Sequence, residues 1–303
     1  MLSVGFFRRL AFLTAFFAYL QIALGGVVRV SGSGLGCPDW PLCNGRPYPP
    51  PNVHSIIEYS HRTVGTITGV LLIATVITAW IVFRNRRPLV AWLATASLVA
   101  IAAEGALGAV VVVNQLAPWL VLVHLGLAMV ILGCLLATAV MALPSSAGIA
   151  DRGFRRMVAI AAGATYVLLL TGSTVVASTA DEGCHAWPLC GSGLTPDFAG
   201  ANAFTMLHRG AVLAIGLLLI YALRDAIRRP EVRWVALATL LVFGLQVAVG
   251  TAAALTDAGL FTGMHVAIAT LVWAGMLSIA LVALPRADRE PALAHLAVDQ
   301  RPA

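Results

Sequence analysis

The sequence predicts an all-α integral membrane protein: eight transmembrane helices arranged as two tandem, pseudo-symmetric four-helix bundles. Three observations predict it. Of 303 residues, 60% are hydrophobic and 11% charged, with a mean hydropathy of +0.91, and a water-soluble domain cannot bury that much apolar surface. Eight apolar runs reach the length of about 20 residues that crosses a bilayer as a helix. The first half of the chain also recurs in the second.

The runs cover roughly 10–28, 63–83, 89–112, 119–142, 156–177, 207–223, 232–254 and 262–284. They carry no alternating polar pattern of the kind a barrel strand shows, and helices satisfy their own backbone hydrogen bonds in lipid. The net charge of +6 comes from 19 basic residues, all arginine. Binding to nucleic acid would need them clustered on one soluble face, whereas most of them cluster in short connections, so nucleic acid is not an expected partner and membrane lipid is. Arg8 and Arg9 precede the first run. Arg84, Arg86 and Arg87 separate the second and third, and Arg152, Arg155 and Arg156 the fourth and fifth. Arg224, Arg228, Arg229 and Arg233 separate the sixth and seventh, and Arg286 and Arg289 follow the eighth. The positive-inside rule then puts both termini in the cytoplasm of a cell membrane and the long connections 29–62 and 178–206 outside.

A shift of 147 lays Phe7-Arg8-Arg9 on Phe154-Arg155-Arg156, Tyr19 on Tyr166, Gly25 on Gly172, Cys37 on Cys184, Trp40-Pro41-Leu42-Cys43 on Trp187-Pro188-Leu189-Cys190, and His61-Arg62 on His208-Arg209. A shift of 142 aligns Arg86-Arg87-Pro88 with Arg228-Arg229-Pro230, Trp92 with Trp234 and Gly108 with Gly250; a shift of 141 aligns His124 with His265. Helix 1 is thereby the counterpart of helix 5 and belongs to the fold, although two arginines before an apolar run also resemble a signal peptide. The halves, 1–150 and 151–285, hold an even number of spans each, so they share one topology about an axis along the membrane normal. Residues 286–303 form a cytoplasmic tail expected to be disordered.

Four of the seven histidines, His61, His124, His208 and His265, stand near the starts of helices 2, 4, 6 and 8, all running inward from one face. Two imidazoles facing each other across a four-helix bundle supply the axial ligands of a six-coordinate heme. A single histidine in a span is more often bonded to a neighbouring helix; four at repeat-related positions and one depth favour heme. Zinc fits less well, because each half offers only two histidines in one plane. His54, His185 and His295 have no repeat partner and read as surface residues. Arg62 and Arg209 follow the helix 2 and helix 6 histidines. Two readings are open for them, pairing with heme propionates and snorkelling to the interface.

The pairs Cys37/Cys43 and Cys184/Cys190 each enclose a Trp-Pro in an outer loop. In an oxidising compartment each is expected to close a disulfide, Cys37–Cys43 and Cys184–Cys190, as a staple over the site rather than a redox relay. Cys134 reads as a small buried hydrophobe. The repeat fails at Glu58, three residues before His61 and four before Arg62, whose counterpart is Thr205. A lone carboxylate beside a membrane site is a functional candidate; the alternative is an ordinary pair with Arg62. Glu104, with Gln246 as counterpart, either orients a histidine or bridges helices.

The run Gly25-Gly26-Val27-Val28-Arg29-Val30-Ser31-Gly32-Ser33-Gly34-Leu35-Gly36-Cys37-Pro38-Asp39-Trp40-Pro41-Leu42-Cys43, followed by Glu58-Tyr59-Ser60-His61-Arg62, resembles the heme A synthase family. The resemblance extends over roughly 7–285. It implies an enzyme, a membrane-bound oxidoreductase that oxidises the C8 methyl of heme O to a formyl group, giving heme A for cytochrome c oxidase. It implies substrate heme at His61 and His124 with Glu58 beside it as the catalytic group, and a permanent heme b cofactor at His208 and His265. Heme O is then the substrate, with heme O synthase, an electron donor and a second copy of the chain as conceivable partners. Two rivals share parts of the pattern. A di-heme electron carrier of the quinol or cytochrome b561 type has no use for matched cysteine loops or for Glu58. A transporter with parallel repeats places its site near mid-membrane.

Overall fold

In the computed structural model, which describes residues 3–178, 184, 187–190, 195–256 and 258–288, eight long helices follow one another up and down. α1 (Val4–Val30) starts where the Ser3 hydroxyl accepts the Phe6 N–H at 3.1 Å. α2 (Val53–Phe83) is capped by Asn52, whose side chain accepts from the amides of His54 and Ser55. α3 (Pro88–Val113) and α4 (Pro118–Met141) open on proline, which has no N–H to leave unsatisfied in the first turn. Asp151 caps α5 (Arg152–Ala177) by accepting the Phe154 N–H at 3.0 Å. That bond and the neighbouring Arg229 hold its carboxyl below the usual carboxylate range. α6 (Asn202–Ile227), α7 (Arg233–Leu255) and α8 (Gly259–Val282) complete the set. All eight are long and apolar enough to cross a membrane; at 1.5 Å per residue they span about 35–46 Å, against a hydrocarbon core of about 30 Å.

The expected spans and the helices agree at most ends, but α2 begins at Val53 rather than near 63. Hydropathy stops at Glu58, His61 and Arg62, whereas the backbone stays helical: Glu58 and Arg62 find polar partners in the loop above, and His61 finds Gln21 on α1. His185, His295, Arg289 and almost all of the expected tail lie outside the described residues.

In the first half α1 packs on α2, α2 on α3, α3 on α4, and α4 back on α1, closing a four-helix bundle; α5 to α8 close a second one by the same pairings. Each bundle has its apolar core toward the arginine-bearing connections. In the first it is built on Phe7, Ala79, Phe83, Val90, Ala91 and Ala139, in the second on Phe154, Leu219, Ala222, Leu223, Ala226 and Ala236. Alanine at so many of these places lets helix backbones approach closely, which is what packing in lipid rewards. At the same end Arg87 donates to the carbonyls of Met141 and Leu143 at 3.0 and 2.6 Å, while its repeat partner Arg229 pairs with Asp151 and Asp225 at 2.8 and 3.2 Å. Leu213, Leu217 and Trp234 are exposed on the outside of the second bundle, the face that lipid covers.

The bundles meet through α1 against α8 and α4 against α5, which the repeat relates to each other, with α4 and α8 between them. The two contacts are not equal. Gly26 and Gly263 let the backbones of α1 and α8 come together, so that a Cβ at Gly26 would stand 3.4 Å from the Gly263 carbonyl oxygen. Their counterparts are Ser173 and Leu122, and on that side Tyr166 donates its hydroxyl to the Gly126 carbonyl at 3.1 Å instead.

Candidate functional site

The four histidines occupy the cysteine-loop end of the bundles. His61 is the ninth residue of α2, and His124, His208 and His265 are each the seventh of α4, α6 and α8. The rise per residue puts them about 9–12 Å in from the first residue of each helix. α2 and α4 stand at opposite corners of the first bundle, as α6 and α8 do in the second, so each bundle has one histidine on each side of its axis.

Every one of these imidazoles lies against a glycine of the adjacent helix. A Cβ at Gly25 would meet His61 Nε2 at 3.4 Å, at Gly108 His124 Cε1 at 3.4 Å, at Gly172 His208 Cε1 at 3.0 Å, and at Gly250 His265 Cε1 at 2.6 Å. Two repeat-related glycine pairs thus clear room for four rings. These glycines are site residues that sequence reasoning uses only to align the halves; their pairing by nearly the same shifts as the histidines is the signal that could find them.

Each ring also has a polar neighbour. Thr171 Oγ1 lies 2.9 Å from His208 Nδ1 and gives its own proton to the Leu168 carbonyl at 2.7 Å. It therefore accepts the Nδ1–H and leaves the Nε2 lone pair available. Glu104 Oε1, on α3, stands 3.1 Å from His124 Nδ1, on α4, though not aligned for a straight hydrogen bond; the contact both adjoins a histidine and joins two helices. Its counterpart Gln246 places its amide nitrogen 3.0 and 3.1 Å from Nδ1 and Nε2 of His265. In the fourth case Gln21 Nε2 donates to His61 Nε2 at 3.0 Å. Gln21 Oε1, Glu104 Oε2 and Gln246 Oε1 are buried without partners, and all three adjoin a histidine.

Above the first bundle, the loop of residues 31–52 is held by the top of α2. Cys37 and Cys43 are bonded, with Cα atoms 4.5 Å apart, and both are fully buried. Arg62 donates through Nη1 to the carbonyls of Asp39 and Leu42 at 2.8 and 2.7 Å, and through Nη2 to the Cys37 carbonyl at 2.7 Å and to Glu58 at 2.5 Å. Glu58, 4% exposed, accepts the Cys37 N–H on its other oxygen at 2.8 Å. Asp39 closes the far side of the loop by accepting the amides of Gly45 and Asn44, and the Gly45 bond above all keeps its carboxyl low. Gly36 is required here, since a Cβ would fall 2.5 Å from the His54 backbone. His54 itself is exposed, as expected, and touches Ser33 Oγ with Nδ1 at 3.0 Å.

The second loop repeats the latch. Cys184 and Cys190 are bonded, with Cα atoms 4.9 Å apart, and Arg209 donates to the Pro188 carbonyl at 3.0 Å and approaches Cys190 Sγ at 3.9 Å. Both arginines thus tie down the disulfide loops, an engagement that neither sequence-based reading of them contains. Thr205, also buried, takes the place of Glu58. Cys134, the free cysteine among the described residues, is half-buried on α4 rather than fully enclosed.

Heme fits this arrangement on two observations: glycines make a cradle for each imidazole, and an unsatisfied polar atom adjoins three of the four rings. Comparison with known proteins points the same way. The family model COX15-CtaA, described as cytochrome oxidase assembly protein, matches residues 8–56 and 52–277. A heme A synthase of Shouchella clausii is 32% identical over 263 residues, 82% of this chain and 87% of that one. Heme A synthases of Alkalihalophilus pseudofirmus and Bacillus cereus are 27% and 28% identical, covering 89% and 84% of this chain and 95% and 86% of their own. This chain, a multi-pass membrane protein, belongs to the COX15-CtaA family of cytochrome oxidase assembly proteins.

Proposed function

We propose that the chain is a heme A synthase whose two halves divide the work: the N-terminal half, residues 1–150, binds heme O through His61 and His124, and the C-terminal half, residues 151–285, holds heme b through His208 and His265. The observation that carries this reading is a symmetric histidine–glycine framework in which, among the described residues, one half alone has a buried carboxylate, Glu58, at the cysteine-loop end. Heme b would supply one-electron transfer between the substrate half and an electron acceptor or donor.

The residues of the first half act as follows. His61 and His124 would hold the substrate heme by its iron, which would leave a methyl group at the ring edge as the part to oxidise. Glu58 is fixed by the Cys37 N–H and by Arg62, one turn before His61 on the same helix face. A carboxylate so held accepts a proton released at the C8 carbon or stabilises positive charge developing there, without having to reorganise. Arg62 and Arg209 keep the disulfide loops closed over the two rings and exclude water. The arginine-rich connections and both termini lie in the cytoplasm, and the loops lie on the oxidising outer side of the cell membrane, where the disulfides persist.

The test is the pigment extracted from the purified protein. Protoheme together with heme O or heme A is the expected result, protoheme alone would favour the di-heme carrier, and no heme at all would overturn both.

A further inference from the structure

Heme O carries two propionates, and on its ring the C8 methyl is the neighbour of one of them. Ionised carboxylates are costly inside a span, so the propionate edge belongs at the end nearest water, where the histidines and Glu58 stand. A cation is needed there, and few are on hand. The chain has no lysine, and of its 19 arginines Arg29, Arg46, Arg62 and Arg209 belong to the cysteine-loop end.

Arg62 is already spent. Its two terminal nitrogens carry four N–H groups, and these go to Asp39, Leu42, Cys37 and Glu58. Arg209 holds the second loop through Pro188, and Arg46 sits in a turn that its backbone closes with Cys43. Arg29 differs from all three. It stands exposed in the last turn of α1, and its guanidinium makes one long contact, from Nη2 to the Val176 carbonyl at 3.5 Å. Four residues earlier on the same helix face is Gly25, the glycine against the His61 ring. Arg29 is thus about 6 Å nearer the outer surface than Gly25, and helical side chains lean toward the N-terminal end, here back over the turn of Gly25. Its counterpart in the second half is Val176, so this cation belongs to the first half.

We propose that Arg29 binds the propionates of the substrate heme and, by fixing that edge of the ring, brings the C8 methyl to Glu58. A planar guanidinium matches a carboxylate with two parallel N–H groups, a pair that the terminal nitrogens of Arg62 no longer have to offer. The inference rests on the reading that His61 binds the substrate. It gives the two arginines of the first site separate tasks, Arg62 the loop and Arg29 the substrate.

The experiment titrates purified protein with heme O and with heme O dimethyl ester, whose propionates are uncharged, comparing the original chain with Arg29→Leu. Heme O should bind the variant about tenfold more weakly, the weight of one charge-assisted hydrogen bond, while the diester binds both chains alike and protoheme in the second half is retained. No loss, an equal loss for heme O and the diester, or loss of protoheme in place of heme O overturns the proposal, because a merely structural contact would not distinguish the acid from the ester. Arg46→Leu should leave heme O binding unchanged; if it takes the loss instead of Arg29→Leu, the proposal is equally overturned. Should Arg29→Leu not fold, the original chain decides: the diester should bind it about tenfold more weakly than heme O, and equal affinity overturns the proposal. His61→Ala tests the underlying reading separately, since it should abolish uptake of heme O and of the diester together, and unchanged uptake would remove that reading whatever Arg29 does.

Discussion

The two halves share helices, glycines, histidines, disulfide loops and arginine latches, and around the histidines they differ in three polar groups. The first has Glu58, Glu104 and Gln21 where the second has Thr205, Gln246 and Leu168. On the proposed reading, one histidine–glycine framework occurs twice, and a few ionisable or amide groups give the copies separate jobs. The framework residues say where a ring fits; the unmatched ones say what happens to it.

The strongest way to break this comparison is at Glu58. Glu58→Gln keeps the size and the Cys37 hydrogen bond while removing the charge, and conversion of heme O should fall about 10²–10⁴-fold. Heme O or its C8 alcohol should accumulate in the extracted pigments, with protoheme unchanged. Thr205→Glu should create no activity in the second half. Heme A formed at the normal rate by Glu58→Gln would reduce Glu58 to a clamp for the cysteine loop and leave Glu104, beside His124, as the carboxylate to test next.

A middling effect is expected at the glycines, and it should be unequal. Gly250→Ala drives a methyl into the His265 ring at 2.6 Å, whereas Gly25→Ala approaches His61 at only 3.4 Å. Overpacking of that kind costs about 1–3 kcal/mol, so Gly250→Ala should visibly weaken protoheme retention in a dialysis assay while Gly25→Ala leaves heme O binding nearly intact. Equal losses would mean the glycines serve general helix packing.

The smallest effect concerns a polar contact between α1 and α2 that the second half lacks. Thr14 and Thr75 place their hydroxyl oxygens 2.9 Å apart, and their counterparts are Ala161 and Ala222. Interhelical bonds of this kind average about 0.6 kcal/mol, so Thr14→Ala should barely shift thermal unfolding in detergent. A loss of several degrees would show that the two bundles are stabilised differently.

Much of this is legible in the sequence because hydropathy and repetition are strong signals. Eight spans, their tandem order and both cysteine pairs follow from them. The first ten residues of α2 are not legible, since hydropathy sees Glu58 and Arg62 as polar, while in the fold the loop carbonyls and the Cys37 amide satisfy them. Nor is the latch of Arg62, which depends on carbonyls 20 or more residues away in the chain. Gln21 and Thr171 escape for a different reason: they hold repeat-related histidines from positions that the repeat does not relate, so aligning the halves hides both.

The central claim is that one half binds substrate and the other a resident cofactor, and it is tested most directly by the pigments of two matched variants. Purified His208→Ala should lose protoheme and still take up heme O, whereas His61→Ala should keep protoheme and fail to take up heme O. If the two variants lose the same pigment, or if His208→Ala retains its protoheme in full, the division of labour between the halves is wrong.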